Sequence, residues 1–280
     1  MEEKLKQPIT LISHGRSGTS LLQNIFEAHP DISVAGETAD LIFSTWYSIE
    51  RAKGIIPGLI ENGKVVAWEE RVGRGVRAVF DEIFNLNTTY WMQKPIGQPF
   101  VINYLRKEGM SLDEWFQLYW SILNQVFPAG KFMTILRHPC DVVISAGDYW
   151  GRKQADVWGG IATMARCILH RDSKVKFAVN YTELVKEPEK NTKKMFEQLG
   201  IGYDSRVLRA FDYVYVPNQK GWKQDKKLYE GKIEKQFSRE DEWEKLDFSL
   251  VKKEDIEVIE KLWARFGYNL ELPGKGKMGK

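Results

Sequence analysis

Ile9-Thr-Leu-Ile-Ser-His14-Gly-Arg16-Ser-Gly18-Thr-Ser20-Leu-Leu-Gln-Asn-Ile-Phe26 decides how the rest of this chain is read. Ile9 to Ile12 is a β-branched and aliphatic run that reads as a buried strand, Gly15 to Gly18 is a glycine-punctuated turn, and Leu21, Leu22, Ile25 and Phe26 follow at helical spacing. Strand, small-residue loop and helix N-terminus together make an anion receptor. Backbone N–H groups converge there, the helix dipole adds partial positive charge, and glycine lets a ligand approach closely. Arg16 adds a full charge, and Ser17, Thr19 and Ser20 add hydroxyl donors. The loop is built for a phosphate or sulfate group.

Working outward, strands and helices alternate. Ile32 to Val34 is a short strand running into Gly36-Glu37-Thr38, residues 39–50 a helix, Gly54 to Gly63 a loop, Ala67 to Phe84 an amphipathic helix and Thr88 to Met92 a strand. Ser111 with Glu114 three residues on is a capping box opening a helix with Trp115, Leu118, Tyr119 and Ile122 inward. Lys131 to Leu136 is a second clear strand, ending in Arg137-His138-Pro139, and a helix starts near Asp141. Gly147 to Gly160 reads as an irregular aromatic insert, followed by a helix to about Arg171, a strand from Lys174 to Asn180 and a helix from Pro188 to Gly200. Residues 203–237 have no clear period; helices are expected near 239–247 and 251–267 and a disordered tail over 274–280. No repeat or linker divides the chain, so residues 1–273 read as one α/β domain with a central parallel sheet flanked by helices. Ligands of such sheets sit beyond the C-terminal ends of the strands.

Composition narrows the function. A net charge of +3, with basic residues scattered among acidic ones, argues against nucleic acid as a partner. Cys140 and Cys167 make no disulfide framework, and neither they nor the four histidines have metal-ligand spacing, so no metal is expected. No apolar run approaches a membrane span and the start is unlike a signal peptide, which makes a reducing cytoplasm the expected location.

The first loop departs from a Walker A motif, having Thr19 where lysine should follow Gly18 and Ser13 where a glycine should open the loop. Arg16-Ser-Gly-Thr-Ser20 instead resembles the 5′-phosphosulfate loop of sulfotransferases, with Gly15 in place of the usual proline. Lys131-Phe-Met-Thr-Ile-Leu-Arg137-His-Pro139-x-Asp141-Val-Val-x-Ser145 resembles that family's 3′-phosphate element. A guanidinium fork and a hydroxyl suit a dianionic phosphate. The layout is closest to the tyrosylprotein, Golgi-type and bacterial members that use a glutamate base.

The resemblance implies a P-loop-NTPase-like three-layer fold and transfer of a sulfuryl group from 3′-phosphoadenosine 5′-phosphosulfate to an acceptor hydroxyl or amine by in-line displacement. The implied donor contacts are Arg16, Ser17, Gly18, Thr19, Ser20, Arg137, Ser145, Tyr181 of Tyr-Thr-Glu-Leu, and Lys223 of Gly221-Trp222-Lys223. Glu37, twenty-one residues after Arg16, is the implied base, while Lys94 and Arg16 would offset charge on the leaving group. In isolation Glu37 reads as a helix-initiating carboxylate and Lys94 as a solvated lysine before Pro95.

His14 is given a structural or secondary role, and His138, a variant of the more usual aspartate in Arg-Asp-Pro, is given none. Trp150, Trp158, Trp46 and Tyr47 are candidates both for the core and for an acceptor wall. The acceptor itself, whether small molecule, glycan, lipid or peptide, is open, as is oligomerisation. A P-loop kinase-like phosphotransferase and a non-catalytic nucleotide-binding protein are the alternatives.

Overall fold

The computed structural model describes residues 8–54, 60, 61, 64, 65, 68–84, 86, 88–95, 109–211 and 238–273. Five parallel strands, β1 (Pro8–Leu11), β2 (Ile32–Gly36), β5 (Tyr90–Gln93), β6 (Lys131–Leu136) and β7 (Val175–Asn180), form one sheet in the order β2-β5-β1-β6-β7. A two-residue-per-strand hairpin, β3 (Ile60–Glu61) and β4 (Lys64–Val65), stands apart from it. The helices are α1 (Thr19–Glu27), α2 (Ala39–Arg51), α3 (Trp68–Phe84), α4 (Leu112–Val126), α5 (Pro139–Trp150), α6 (Gln154–Leu169), α7 (Tyr181–Lys186), α8 (Pro188–Leu199) and α9 (Lys253–Arg265).

Alternation along the strands builds two cores, one on each face. Phe132 and Leu136 of β6 and Trp91 of β5 join a core with α2 to α6 and α9. Met133 and Ile135 of β6 and Met92 of β5 join the other, with Phe26 of α1 and Phe196 of α8. Both faces are covered, as a parallel sheet requires, and the architecture is the expected three-layer α/β one. Ser111 caps α4, its hydroxyl accepting from Glu114 N–H while the Glu114 carboxylate accepts from Ser111 N–H.

The expected irregular insert at 147–160 is helical instead. Helix α5 continues through Gly147 to Trp150 and is stopped by Gly151 in the left-handed region (φ 63°), whose N–H donates to Gly147 O (2.8 Å). After only three residues α6 starts, and it includes Gly159 and Gly160. The segment expected as a helix near 239–247 is a 3-10 turn over Glu240–Lys245. The 274–280 tail and most of 203–237 lie outside the described residues.

Strand order sets the site. The chain leaves β1 toward β2 on one side and later enters β6 on the other, so a crevice opens between the C-terminal ends of β1 and β6.

Candidate active site at the strand ends

The loop after β1 is tied to β6 from below, with Ile12 N–H donating to Met133 O (2.9 Å) and the Ser13 hydroxyl to Ile135 O (2.9 Å). It then turns through two left-handed residues, Arg16 (φ 69°) and Gly18 (φ 98°). Gly18 is the N-cap of α1 and no side chain caps the helix, so no capping group competes for the N–H groups of the first turn. Ser17 and Thr19 are buried, and Ser20 is half-buried beside them.

A glycine is needed at 18 on two counts. Its φ strains any L-residue, and a Cβ there would lie 2.4 Å from Tyr181 Cδ2. Gly15 is equally confined, since a Cβ would lie 2.5 Å from Cη2 of Trp150. The half-buried His14 donates from Nδ1 to Gly15 O (2.6 Å). Burial, against the hydrogen bond and aided by the charge of Arg152, lowers its pKa to about 4, which leaves it neutral near pH 7.

Arg137 follows β6 on the other side of the crevice. Its Nη1 donates to Arg16 O (3.3 Å), and its guanidinium lies 4.6 Å from the centre of the Tyr181 ring. Arg16 in turn donates from Nε to Ser145 Oγ (3.1 Å) and stacks on Tyr149 at 4.2 Å. The two expected anion elements are therefore one constellation: Arg16, Ser145, Arg137 and Tyr181 are brought together. Among the described residues Arg16 has no carboxylate partner. The Tyr181 ring is buried between Gly18 and Arg137, and desolvation raises its pKa.

Glu37 and Lys94 leave the neighbouring strands β2 and β5. Lys94 N–H donates to Gly36 O (2.8 Å), and its ammonium lies 3.5 Å from Glu37 Oε1. Lys94 is buried, with its side chain 8% exposed against 40% for Glu37. Burial lowers the Lys94 pKa, and the neighbouring Glu37 carboxylate works against that shift. The solvated-lysine reading of Lys94 is thus replaced by a desolvated cation. Behind the pair runs a buried hydrogen-bond chain: Thr38 Oγ1 donates to Gln93 Oε1 (2.8 Å), and Gln93 Nε2 donates to Thr10 Oγ1 (3.1 Å). It ties β1, β5 and the start of α2 together.

Trp150 was a candidate for an acceptor wall, whereas the places of Tyr149, His138 and Asp141 were not expected. Tyr149 and Trp150 lie over the anion loop, whereas Trp158 is buried against Phe248 and Trp46 donates to Gln125 away from the site. His138, expected to do nothing, stacks on Trp243 (3.9 Å between ring centres) and donates from Nε2 to Glu271 O (3.0 Å). Asp141 is fully buried beside Arg137; its position four residues after Arg137, one helical turn on, was the available signal. Lys223, with Gly221 and Trp222, lies outside the described residues. Among the described residues no group of three or more His, Cys, Asp or Glu could hold a metal ion, and no helix is long and apolar enough to cross a membrane.

Comparison with known proteins bears on the fold and the family. No curated protein sequence matches the chain. Among solved structures, the sulfotransferase domain of the Synechococcus PCC 7002 olefin synthase is similar over 97% of this chain and 98% of its own, with a TM-score of 0.57 at 19% identity. The sulfotransferase domain from the curacin biosynthetic pathway is similar over 95% and 99%, with a TM-score of 0.57 at 16% identity. At these identities the likeness concerns the fold. The model of the sulfotransferase family matches residues 8–205, which take in the loop, Glu37, Lys94, Arg137, Ser145 and Tyr181, and the chain belongs to that family.

Proposed function

We propose that this sulfotransferase uses 3′-phosphoadenosine 5′-phosphosulfate as donor and an acceptor hydroxyl or amine. The observation that carries the reading is the joining of two anion receptors in one crevice, through Arg137 Nη1 on Arg16 O and Arg16 Nε on Ser145 Oγ. A donor with a 5′-phosphosulfate and a separate 3′-phosphate presents two anionic groups on one nucleoside. A kinase would need a lysine after Gly18 and an acid at a strand end for Mg²⁺; Thr19 and Arg137 stand in those places.

The residues present fit the donor. Arg16, half-buried and without a carboxylate partner among the described residues, carries positive charge that an anion would balance. Arg16, Ser17, Thr19, Ser20 and the first-turn N–H groups of α1 would hold the 5′ end. Arg137 and Ser145 would hold the 3′-phosphate, with Tyr181 toward the nucleoside, and Lys223 is a candidate phosphate contact from the sequence alone. The donor, when bound, supplies the sulfuryl group.

Glu37 takes the proton of the acceptor. As its carboxylate is neutralised, the Lys94 ammonium 3.5 Å away loses its counter-charge and is free to stabilise charge developing on the departing oxygen. Proton acceptance and charge stabilisation are in this way coupled in one pair. The proposal takes residues 1–273 as a single catalytic domain, because both cores pack on the same sheet.

The test is calorimetric binding of adenosine 3′,5′-bisphosphate, ATP and 5′-AMP to wild type and Arg137→Ala. Binding that requires the 3′-phosphate and weakens in the variant is the expected result. Tighter binding of Mg-ATP, unaffected by Arg137→Ala, would replace the sulfuryl donor with a phosphoryl one.

A further inference from the structure

We infer that Asp141 is a positioning residue for the donor's 3′-phosphate, and that it is held in place by the segment after residue 238, outside the stretch matched by the family model. The inference rests on the donor reading above. Asp141 is 0% exposed. Its Oδ1 accepts two hydrogen bonds from that segment, from the indole Nε1 of Trp243 (2.8 Å) and the backbone N–H of Arg239 (3.1 Å). This fixes the plane of the carboxylate. Its second oxygen, Oδ2, is then left facing Arg137 Nε at 3.7 Å, and neither atom has a hydrogen-bond partner among the described residues.

Arg137 is thereby held at three points: the Asp141 charge, the Tyr181 ring and Arg16 O. Among the described residues its Nη2 group is the end with no such tie. A guanidinium reads phosphate well only when its fork is aimed before the ligand arrives, because otherwise binding must first order a long side chain. The segment is itself anchored. Arg239 donates from Nη1 to Asp148 on α5 (2.6 Å), Trp243 stacks on His138, the residue after Arg137, and His138 donates to Glu271 O. Late segments of the chain thus grip both neighbours of the phosphate-reading side chain.

The experiment compares binding of adenosine 3′,5′-bisphosphate with binding of 5′-AMP, since the two differ only in the 3′-phosphate. Asp141→Asn keeps an oxygen for Trp243 and Arg239 but turns an N–H toward Arg137. It should weaken the bisphosphate about 10-fold or more while changing 5′-AMP less than about 2-fold, a differential of at least ~1 kcal/mol. Trp243→Phe, which keeps the stack on His138 and removes one donor, should show a smaller selective loss and stands in should Asp141→Asn fail to fold. In an Arg137→Ala background neither substitution should have a selective effect.

Equal weakening of both nucleotides, or no weakening of either, overturns the inference. A wild-type protein with no preference for the bisphosphate over 5′-AMP refutes the donor reading itself, which separates the two failures.

Discussion

Replacing Gly18 by alanine tests the packing of the anion loop against the rest of the site. The backbone there has φ 98°, and holding an L-residue in left-handed space costs about 1–2 kcal/mol. The new methyl would also meet Tyr181 at 2.4 and 2.7 Å and Ile135 Cδ1 at 3.1 Å, and relieving such overpacking costs about 1–3 kcal/mol. Together they amount to about 2–5 kcal/mol, a large share of a typical stability of about 5–15 kcal/mol, with a fall in Tm of roughly 4–20 °C.

Urea unfolding followed by circular dichroism separates the two contributions if Gly18→Ala is made in wild type and in Tyr181→Ala. With the ring gone the backbone cost and the milder contact with Ile135 should remain, so the substitution should be cheaper by about 1–3 kcal/mol in the second background. An equal cost in both, or a cost below about 1 kcal/mol in wild type, would show that the loop does not rest on Tyr181 as described.

The remaining expectations concern the ionisable groups. Glu37→Gln should leave affinity for adenosine 3′,5′-bisphosphate within about 2-fold while turnover falls by about 10²-fold or more; unchanged turnover removes Glu37 from the mechanism. Lys94→Met should abolish turnover yet leave the free energy of unfolding in urea unchanged or raised by about 1 kcal/mol, because it removes a desolvated charge and leaves Glu37 partly hydrated; a clear destabilisation would mean that the ion pair outweighs the burial. For His14 the folded pKa of about 4 lies below its ordinary 6.5, so the unfolded chain binds the extra proton between these values. Its contribution is complete above pH 6.5 and lost on acidification toward pH 4, by about 3 kcal/mol. His14→Gln should flatten the pH dependence of unfolding in that window, and an unchanged slope would show that His14 is not the group responsible.

What could be read from the chain alone was whatever is encoded within one strand–loop–helix unit. The strand, turn and helix of residues 9–26 and the Ser111 cap are local patterns in which spacing determines geometry, and each reappears in the structure, with Arg137 and Ser145 both in contact with Arg16. Contacts between distant segments carry no such signature. Asp141 and Trp243 meet across the sheet's C-terminal edge, and the Thr10–Gln93–Thr38 chain joins three separate elements, yet each of these residues is unremarkable in its own neighbourhood. Gly147, Gly151, Gly159 and Gly160 misled in the other direction: a cluster of helix-weakening residues looked irregular, but only Gly151 ends a helix. Burial of α5 and α6 outweighs the modest cost of the other three.

Arg16 is the one non-glycine residue with positive φ among those described. Its conformation disfavours the fold by about 1 kcal/mol, which glycine at the same place would relieve. Arg16→Gly would also strip the guanidinium from Tyr149 and Ser145 Oγ, so the strain at this one residue is offset by the contacts that its side chain makes, and relieving the first forfeits the second.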